Sequence, residues 1–259
     1  MRVVILCGGQ GTRLREQTDV LPKPMIEIGG RPILWHIMKI YAQCGLNSFV
    51  LCLGYKGHLI KEYFLNYAVR TNDLTISLGD DPKVTIDRHV GESNWQISLV
   101  ETGEAAMTGA RLFRVKDRLT DESFCMTYGD GLANIDISRT LEFHRRHGKM
   151  VTVTGVRPSA RFGELELDGE RVVAFAEKPQ VNESFINGGF FVFRREFLDK
   201  YLSDRDDLTL EREPLQRAAM DGEMMMFPHT GFWQCMDTYR EWRLLDEMWK
   251  DGRAEWKIW

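Results

Sequence analysis

Apolar positions recur along the chain in two rhythms, and these alternate through the first half. Unbroken apolar runs at Val3–Cys7 and Ser48–Leu53 read as strands buried on both faces. Between them, Ile33, Leu34, Ile37, Met38, Ile40 and Tyr41 fall at helical spacing, with Pro32 near the first turn and Gly45 as the stop. The stretch KGHLIKEYFLNYAV predicts one amphipathic helix. DLTISL, KVTIDRHV and WQISLVE then lack helical period and read as extended. Arg111–Leu119 is expected to be helical, SFCMTYGDG a strand ending in a loop, Ile137–His147 a helix and MVTVTGV a strand. Beyond Arg157 strands dominate in FGELEL, RVVAFAEKP and FINGGFFVF, and the MMMF run is expected to be a buried strand. Helical patterns return near Arg195–Leu202, Glu211–Met220 and Thr238–Trp249. Alternating strands and helices predict an α/β fold with a mainly parallel, mixed sheet covered on both faces, plus a smaller strand-rich region. No repeat or Pro/Gly/Ser linker interrupts residues 1–259, which are expected to form a single domain.

Composition narrows the class. The 259 residues are 43% hydrophobic and 28% charged with a formal net charge of −4. Such a chain can bury a full core without staples. Its weak charge offers no field for nucleic acid or an anionic membrane, so an anionic ligand has to be held by local Lys and Arg. The five cysteines show no CxxC pairing and read as reduced thiols in a cytosolic protein rather than a disulfide or metal framework. No run reaches the ~18 apolar residues of a membrane span. The expectation is a cytoplasmic protein.

The candidate chemistry starts where the first strand ends, in LCGGQGTR. Gly8, Gly9 and Gly11 let backbone approach another group closely, and Thr12 and Arg13 add a hydroxyl and a guanidinium fork. Such a loop suits a phosphate. It is neither GxxxxGK[ST] nor GxGxxG, because Leu14 stands where the latter needs its third glycine. In LPKPM, Lys23 lies between two prolines that are expected to hold it in an extended geometry.

The continuous stretch LCGGQGTRLREQTDVLPKPMIEIGGRPILWHI resembles the signature of the sugar-1-phosphate nucleotidyltransferases. YGDG, AEKP, NGGFF and GFWQCMDT match islands of that family in the same order. The resemblance implies a Rossmann-like fold with a nucleotide-binding part over about 1–135 and a sugar-phosphate part with a C-terminal helix over about 136–259. It places the nucleoside triphosphate against Leu6, Gly8, Gly9, Gln10, Gly11, Thr12, Arg13, Lys23, Thr108, Gly109, Arg111 and Gly129. It gives Arg13 the β/γ phosphates, Lys23 the reaction centre, and Asp130 and Asp237 a Mg²⁺ ion. Glu177, Lys178, Asn187 and Gly188 fall to the sugar phosphate.

PILWHIMKIY, GYKGHLIKEYFLNY, ETGEAAMTGARL and HTGFWQCMDT are similar to the cytidylyltransferase branch, implying CTP and glucose 1-phosphate as substrates and CDP-glucose as product. Another nucleoside triphosphate or sugar 1-phosphate is the alternative, and a non-catalytic nucleotide-binding relative the remote one. That branch usually has MTGGR where this chain has Met107-Thr108-Gly109-Ala110-Arg111, DTG where it has Glu101-Thr102-Gly103, and often serines at Ala105 and Ala106. The implied chemistry explains the residue types. A phosphate monoester has a second pKa of ~6, so the attacking oxygen is already anionic and needs cations rather than a base.

Two features stand outside this scheme. His144 and His147 share a helix face, where cationic residues at a helix C-terminus are a simpler account than a metal pair. Trp242, Trp249, Trp256 and Trp259 predict a packed terminal helix or, as the resemblance also implies, a contact in a homo-oligomer.

Overall fold

A computed structural model describes residues 1–9, 11, 20–87, 91–92, 94–158, 164–168, 171–176 and 184–259. In chain order its strands are β1 (Val3–Leu6), β2 (Glu27–Ile28), β3 (Arg31–Pro32), β4 (Ser48–Leu53), β5 (Leu74–Ser77), β6 (Lys83–Ile86), β7 (Gln96–Glu101) and β8 (Ser123–Tyr128). There follow β9 (Gly131–Ala133), β10 (Val151–Val156), β11 (Glu164–Asp168), β12 (Arg171–Ala176), β13 (Ile186–Arg194), β14 (Met224–His229) and β15 (Trp233–Cys235). The helices are α1 (Ile33–Ala42), α2 (Gly57–Leu65), α3 (Tyr67–Thr71), α4 (Thr108–Arg114), α5 (Ile137–His147), α6 (Glu196–Tyr201), α7 (Glu213–Met220) and α8 (Tyr239–Lys250).

Seven strands form one sheet in the order β14-β10-β13-β8-β1-β4-β7. β13 runs antiparallel to β10 and β8, and every other neighbouring pair is parallel. This is the mainly parallel, mixed sheet that the sequence predicts. Side chains alternate across a strand, so each apolar run feeds two cores at once. Val3, Ile5, Leu51, Cys125, Phe190 and Val192 pack on one face with Ile37, Met38 and Tyr41 of α1 and with Leu245 and Met248 of α8. Val4, Leu6, Cys52, Met126, Phe191 and Phe193 pack on the other with Leu112 of α4, Phe197 and Leu198 of α6, and Leu215 and Ala218 of α7. Double coverage explains why these runs are unbroken rather than alternating. All five cysteines are free thiols. Among the described residues, no helix is long and apolar enough to cross a membrane.

Several elements depart from the sequence reading. The helix expected over 56–69 breaks at Asn66, whose side-chain amide donates to the Glu62 carbonyl at 2.9 Å and competes with the helical ladder. α4 starts at Thr108 and ends at Arg114, and a separate 3₁₀ turn follows over Lys116–Arg118. The MMMF run is a strand but not a buried one. β14 lies at the sheet edge, paired with β10 alone, and Met225 and Met226 are exposed.

The two unabsorbed sequence features prove to be packing devices. Trp242 and Trp249 lie on α8, whereas Trp256 and Trp259 lie beyond it. Trp256 is fully buried and its indole N–H donates to His36 Nδ1 at 3.3 Å. His36 Nε2 must then carry the proton it shares with the Ile28 carbonyl at 2.9 Å. His144 and His147 are not the cationic C-terminal pair expected. His147 Nδ1 accepts the Lys149 N–H, so its Nε2 donates to Thr152 Oγ1 at 2.7 Å, and the Thr152 proton goes to His144 Nδ1 at 2.8 Å. Burial pushes His36 and His144 down to about 4, helped at His36 by Arg31 and Lys257 and at His144 by His147, Arg194 and Arg145.

These neutral histidines predict acid lability with a definite sign. The unfolded chain binds protons from about pH 6.5 downwards while the folded chain refuses them until about 4. Stability is therefore complete above 6.5 and falls by roughly 1.4 kcal/mol per pH unit per histidine below it. The melting temperature, measured by circular dichroism between pH 7 and 4, should decline less steeply in His144→Asn than in the wild type. Parallel declines would remove His144 from the acid response.

Candidate active site

The carboxyl ends of the parallel strands open into one cleft, as expected for an open α/β sheet. It holds roughly 740 Å³ of free space and is lined by Leu6, Gly8, Gly9 and Gly11 after β1, by Lys23, by Thr108 and Arg111 of α4, and by Gly129 and Asp130 after β8. Nine of the sequence-predicted residues thus share one wall system. Gln10, Thr12, Arg13, Glu177 and Lys178 lie outside the described residues.

Lys23 is presented rigidly, though not by the extended backbone that the flanking prolines suggest. Pro22 is extended, with φ −66° and ψ 146°, and Lys23–Met25 then forms a 3₁₀ turn with Pro24 and Met25 buried. The Lys23 ammonium lies 2.6 Å from Asp130 Oδ2 and 2.5 Å from Asp237 Oδ1. Burial alone would pull this lysine down, but Asp130 and Asp237 outweigh it and hold it above its ordinary value. Lys23 is therefore a permanent cation at neutral pH.

The meeting of Asp130 and Asp237 is the work of a two-stranded ribbon. β15 pairs antiparallel with β9, with Cys235 opposite Gly131, and the Met236 N–H donates to the Asp130 carbonyl at 2.9 Å. Asp237 then enters α8, where Thr238 and Glu241 form a capping box. Glu241 Oε2 accepts the N–H of both Asp237 and Thr238, at 2.8 and 2.9 Å, which fixes the backbone that carries the Asp237 carboxylate. Two carboxylates facing one cationic centre form a hard oxygen pair of the kind Mg²⁺ takes from a protein when phosphate and water complete its shell. The donor chemistry fits that ion. Among the described residues no larger cluster of metal-ligating side chains forms.

Arg111 faces inward. Its Nη1 donates to the Leu53 and Gly103 carbonyls and to Thr102 Oγ1 at 2.8 to 2.9 Å, and its Nη2 to the Gly8 and Glu104 carbonyls at 3.1 and 3.2 Å. Burial lowers its pKa, but a guanidinium stays charged. Both terminal nitrogens are committed to the protein, so Arg111 ties the loops after β1, β4 and β7 into one rim. Gly109 does not line the cleft. Its N–H donates to the Leu208 carbonyl at 2.9 Å, and a Cβ there would meet Leu208.

Asn187 and Gly188 lie on β13, where Asn187 pairs with Gly155 of β10. The Gly188 carbonyl accepts the Trp233 indole N–H at 2.7 Å, which joins β13 to the ribbon that carries Asp237. Sequence reasoning missed Tyr128, Met107 and Pro24, which also line the cleft. Tyr128 had a legible signal, since it immediately precedes the GDG turn at a strand's carboxyl end. Thr102 had none.

The Nucleotidyl transferase family model matches residues 2–251 of this chain. A glucose-1-phosphate cytidylyltransferase from Salmonella typhi is 48% identical over 260 residues, covering all of both chains. A mannose-1-phosphate guanylyltransferase from Mycobacterium tuberculosis is 31% identical over 244 residues, 91% of this chain and 60% of that protein. Among solved structures, HddC from Yersinia pseudotuberculosis matches with a TM-score of 0.68 and 22% identity, over 96% of this chain and 99% of that one, which is a likeness of fold.

The packing beneath the loop yields a sharp expectation. A Cβ on Gly8 would sit 2.1 Å from Arg111 Nη1, so the guanidinium would have to leave its carbonyls. Gly8→Ala should destabilise the fold by about 1–3 kcal/mol, the usual range for overpacking, and weaken nucleotide binding at least tenfold by calorimetry. Wild-type stability and affinity together would show that the rim does not depend on this approach.

Proposed function

We infer, from the premise that this chain belongs to the nucleotidyl transferase family, that it is a glucose-1-phosphate cytidylyltransferase. It joins CTP to glucose 1-phosphate and releases pyrophosphate. The observation that carries the reaction type is Lys23 centred between Asp130 and Asp237 in the cleft that holds the glycine loop. The choice of nucleotide and sugar is supported by the full-length identity of 48% to a protein named for that activity.

In this reading a sugar-phosphate oxygen attacks the α-phosphorus and the β-phosphate oxygen leaves in line. The nucleophile is already an anion near neutrality, since its second pKa is ~6, and the site accordingly needs no general base. Asp130 and Asp237 would hold Mg²⁺, which supplies Lewis-acid charge neutralisation on the phosphates. Lys23, kept protonated by the same two carboxylates, adds fixed positive charge beside the reacting phosphate. The backbone at Gly8, Gly9 and Gly11 leaves room for the triphosphate, and Arg111 keeps that rim in place before substrate arrives. The resemblance assigns Arg13 to the leaving phosphates, and Glu177, Lys178 and Asn187 to the sugar phosphate.

A second reading keeps the chemistry and changes the nucleotide, and the guanylyltransferase match at 31% identity is what favours it. The departure from the cytidylyltransferase branch at Ala110 weighs little in its support. Ala110, which stands for a glycine of that branch, is fully buried in the apolar core with Leu112 and Leu208. Its extra methyl faces packing rather than ligand.

Pyrophosphate release with purified protein and Mg²⁺, across CTP, dTTP, UTP, GTP and ATP and a panel of sugar 1-phosphates, tests the assignment. Turnover is expected with CTP and glucose 1-phosphate. A strong signal only with another pair would overturn the substrate assignment, and silence with every pair would overturn the transferase. Asp237→Asn should lower kcat by about a hundredfold or more while the fold persists, a loss of the size seen when one charge-stabilising group is removed. Near-normal turnover would remove Asp237 from the metal site.

A further inference from the structure

The segment between α6 and α7 does not simply connect them; it crosses the N-terminal end of α4. The Asp206 carbonyl accepts the Met107 N–H at 2.8 Å, and the Leu208 carbonyl accepts those of Gly109 and Ala110 at 2.9 and 3.2 Å. Arg114 at the other end of α4 reaches Asp204 and Asp206 at 2.7 and 2.8 Å. The amides that a helix start leaves open are thus closed by protein carbonyls. The segment ends at Glu211, whose carboxylate divides between two hydroxyls that line the cleft. Its Oε2 accepts from Thr108 Oγ1 at 2.7 Å, and its Oε1 accepts from the Tyr128 hydroxyl.

Both hydroxyl protons in this arrangement go to Glu211. Thr108 Oγ1 accepts the Leu210 N–H at 2.9 Å, so its own proton goes to Glu211. Asn187 Oδ1 accepts the Gly189 N–H at 2.8 Å, and Gly189 in turn lies against the Tyr128 ring. Burial pushes the Tyr128 phenol well up and the Glu211 charge adds to it, so Tyr128 is a neutral donor. Gly189 makes this seating possible. It adopts φ +81°, and a Cβ there would lie 2.8 Å from the Tyr128 ring. Thr108, Glu211 and Tyr128 therefore form one continuous chain of hydrogen bonds, and the Tyr128 ring packs against Gly189, whose N–H is held by Asn187.

We propose that Glu211 is a positioning residue that sets the spacing between the nucleotide and sugar-phosphate subsites, by holding the Thr108 and Tyr128 hydroxyls with a single carboxylate. The inference rests on the assignment of Thr108 to the nucleotide and Asn187 to the sugar phosphate. A carboxylate is required because both hydroxyls donate to it. A glutamine at 211 would offer one acceptor and one donor, so only one of the two hydroxyls could still donate to it, and Thr108 cannot readily reverse because it already accepts from Leu210. Misplacement on the ångström scale between reacting groups costs about a hundredfold in rate without removing any contact to either substrate.

The test is Glu211→Gln alongside Tyr128→Phe and the double variant, each measured with the substrate pair that the wild-type enzyme turns over. Glu211→Gln should lower kcat about 10–100-fold while the separate dissociation constants of nucleotide and of sugar phosphate stay within threefold and the melting temperature holds. The double variant should be no slower than the worse single one, because both changes cut the same chain. Glu211→Asp, which keeps two acceptors but is shorter, should recover part of the rate. Unchanged kcat in Glu211→Gln, multiplicative losses in the double variant, or loss of nucleotide affinity in parallel with kcat would each overturn the proposal. Wild-type silence with every pair would instead overturn the functional reading, and the proposal with it.

Discussion

Two carboxylates that arrive from opposite parts of the chain meet one lysine, and the rest of the cleft is arranged around that meeting. Lys23 neutralises one of the two negative charges, so the Asp130 and Asp237 side chains can face each other at the mouth of the sheet. Each partner is held from behind. Pro22 and Pro24 fix the lysine, the β9–β15 ribbon aligns the aspartates, and the capping box of α8 pins the backbone at Asp237. The net surplus of one negative charge at this point has the sign that suits a divalent cation, the role proposed for the aspartate pair.

A second buried cation plays the opposite part. Lys23 keeps its charge directed at the cleft, whereas Arg111 spends both terminal nitrogens on carbonyls of three loops. Burying a guanidinium is costly unless its donors are satisfied, and five hydrogen bonds meet that demand. The same saturation ties the loops after β1, β4 and β7 to one side chain. Glu211 repeats the device with the opposite sign, a carboxylate whose two oxygens join hydroxyls on α4 and β8. The antiparallel β13, seated between β10 and β8, carries Asn187 opposite Gly155 of β10.

The glycines near the cleft are best understood from what approaches them. Gly8 admits a guanidinium and Gly189 admits a phenol ring, each at a distance that a Cβ would occupy. In both places the backbone path depends on a contact made where a side chain would otherwise stand. The phosphate-binding character of such loops is therefore a property of their support as well as of their flexibility.

Much of the fold was legible in the residues alone. Strand and helix types alternate because apolar periodicity is a local property, and unbroken runs such as Val3–Cys7 report burial on both faces. The glycine loop, Lys23 and the aspartates of YGDG and CMDT were also legible, since motif spacing survives without knowledge of where the chain goes. Tertiary structure alone decided which of these groups meet and what they do there. The MMMF run became an exposed edge because no strand follows β14 in the sheet, and periodicity carries no information about neighbours. His144 and His147 became neutral because the fold buries them and brings Arg194 of β13 beside them. Arg111 turned inward and Glu211 became a bridge for the same physical reason. A donor or acceptor is assigned by the partners that reach it, and among these Gly8 and Leu53 for Arg111, and Thr108 and Tyr128 for Glu211, lie about sixty to a hundred residues away in the chain.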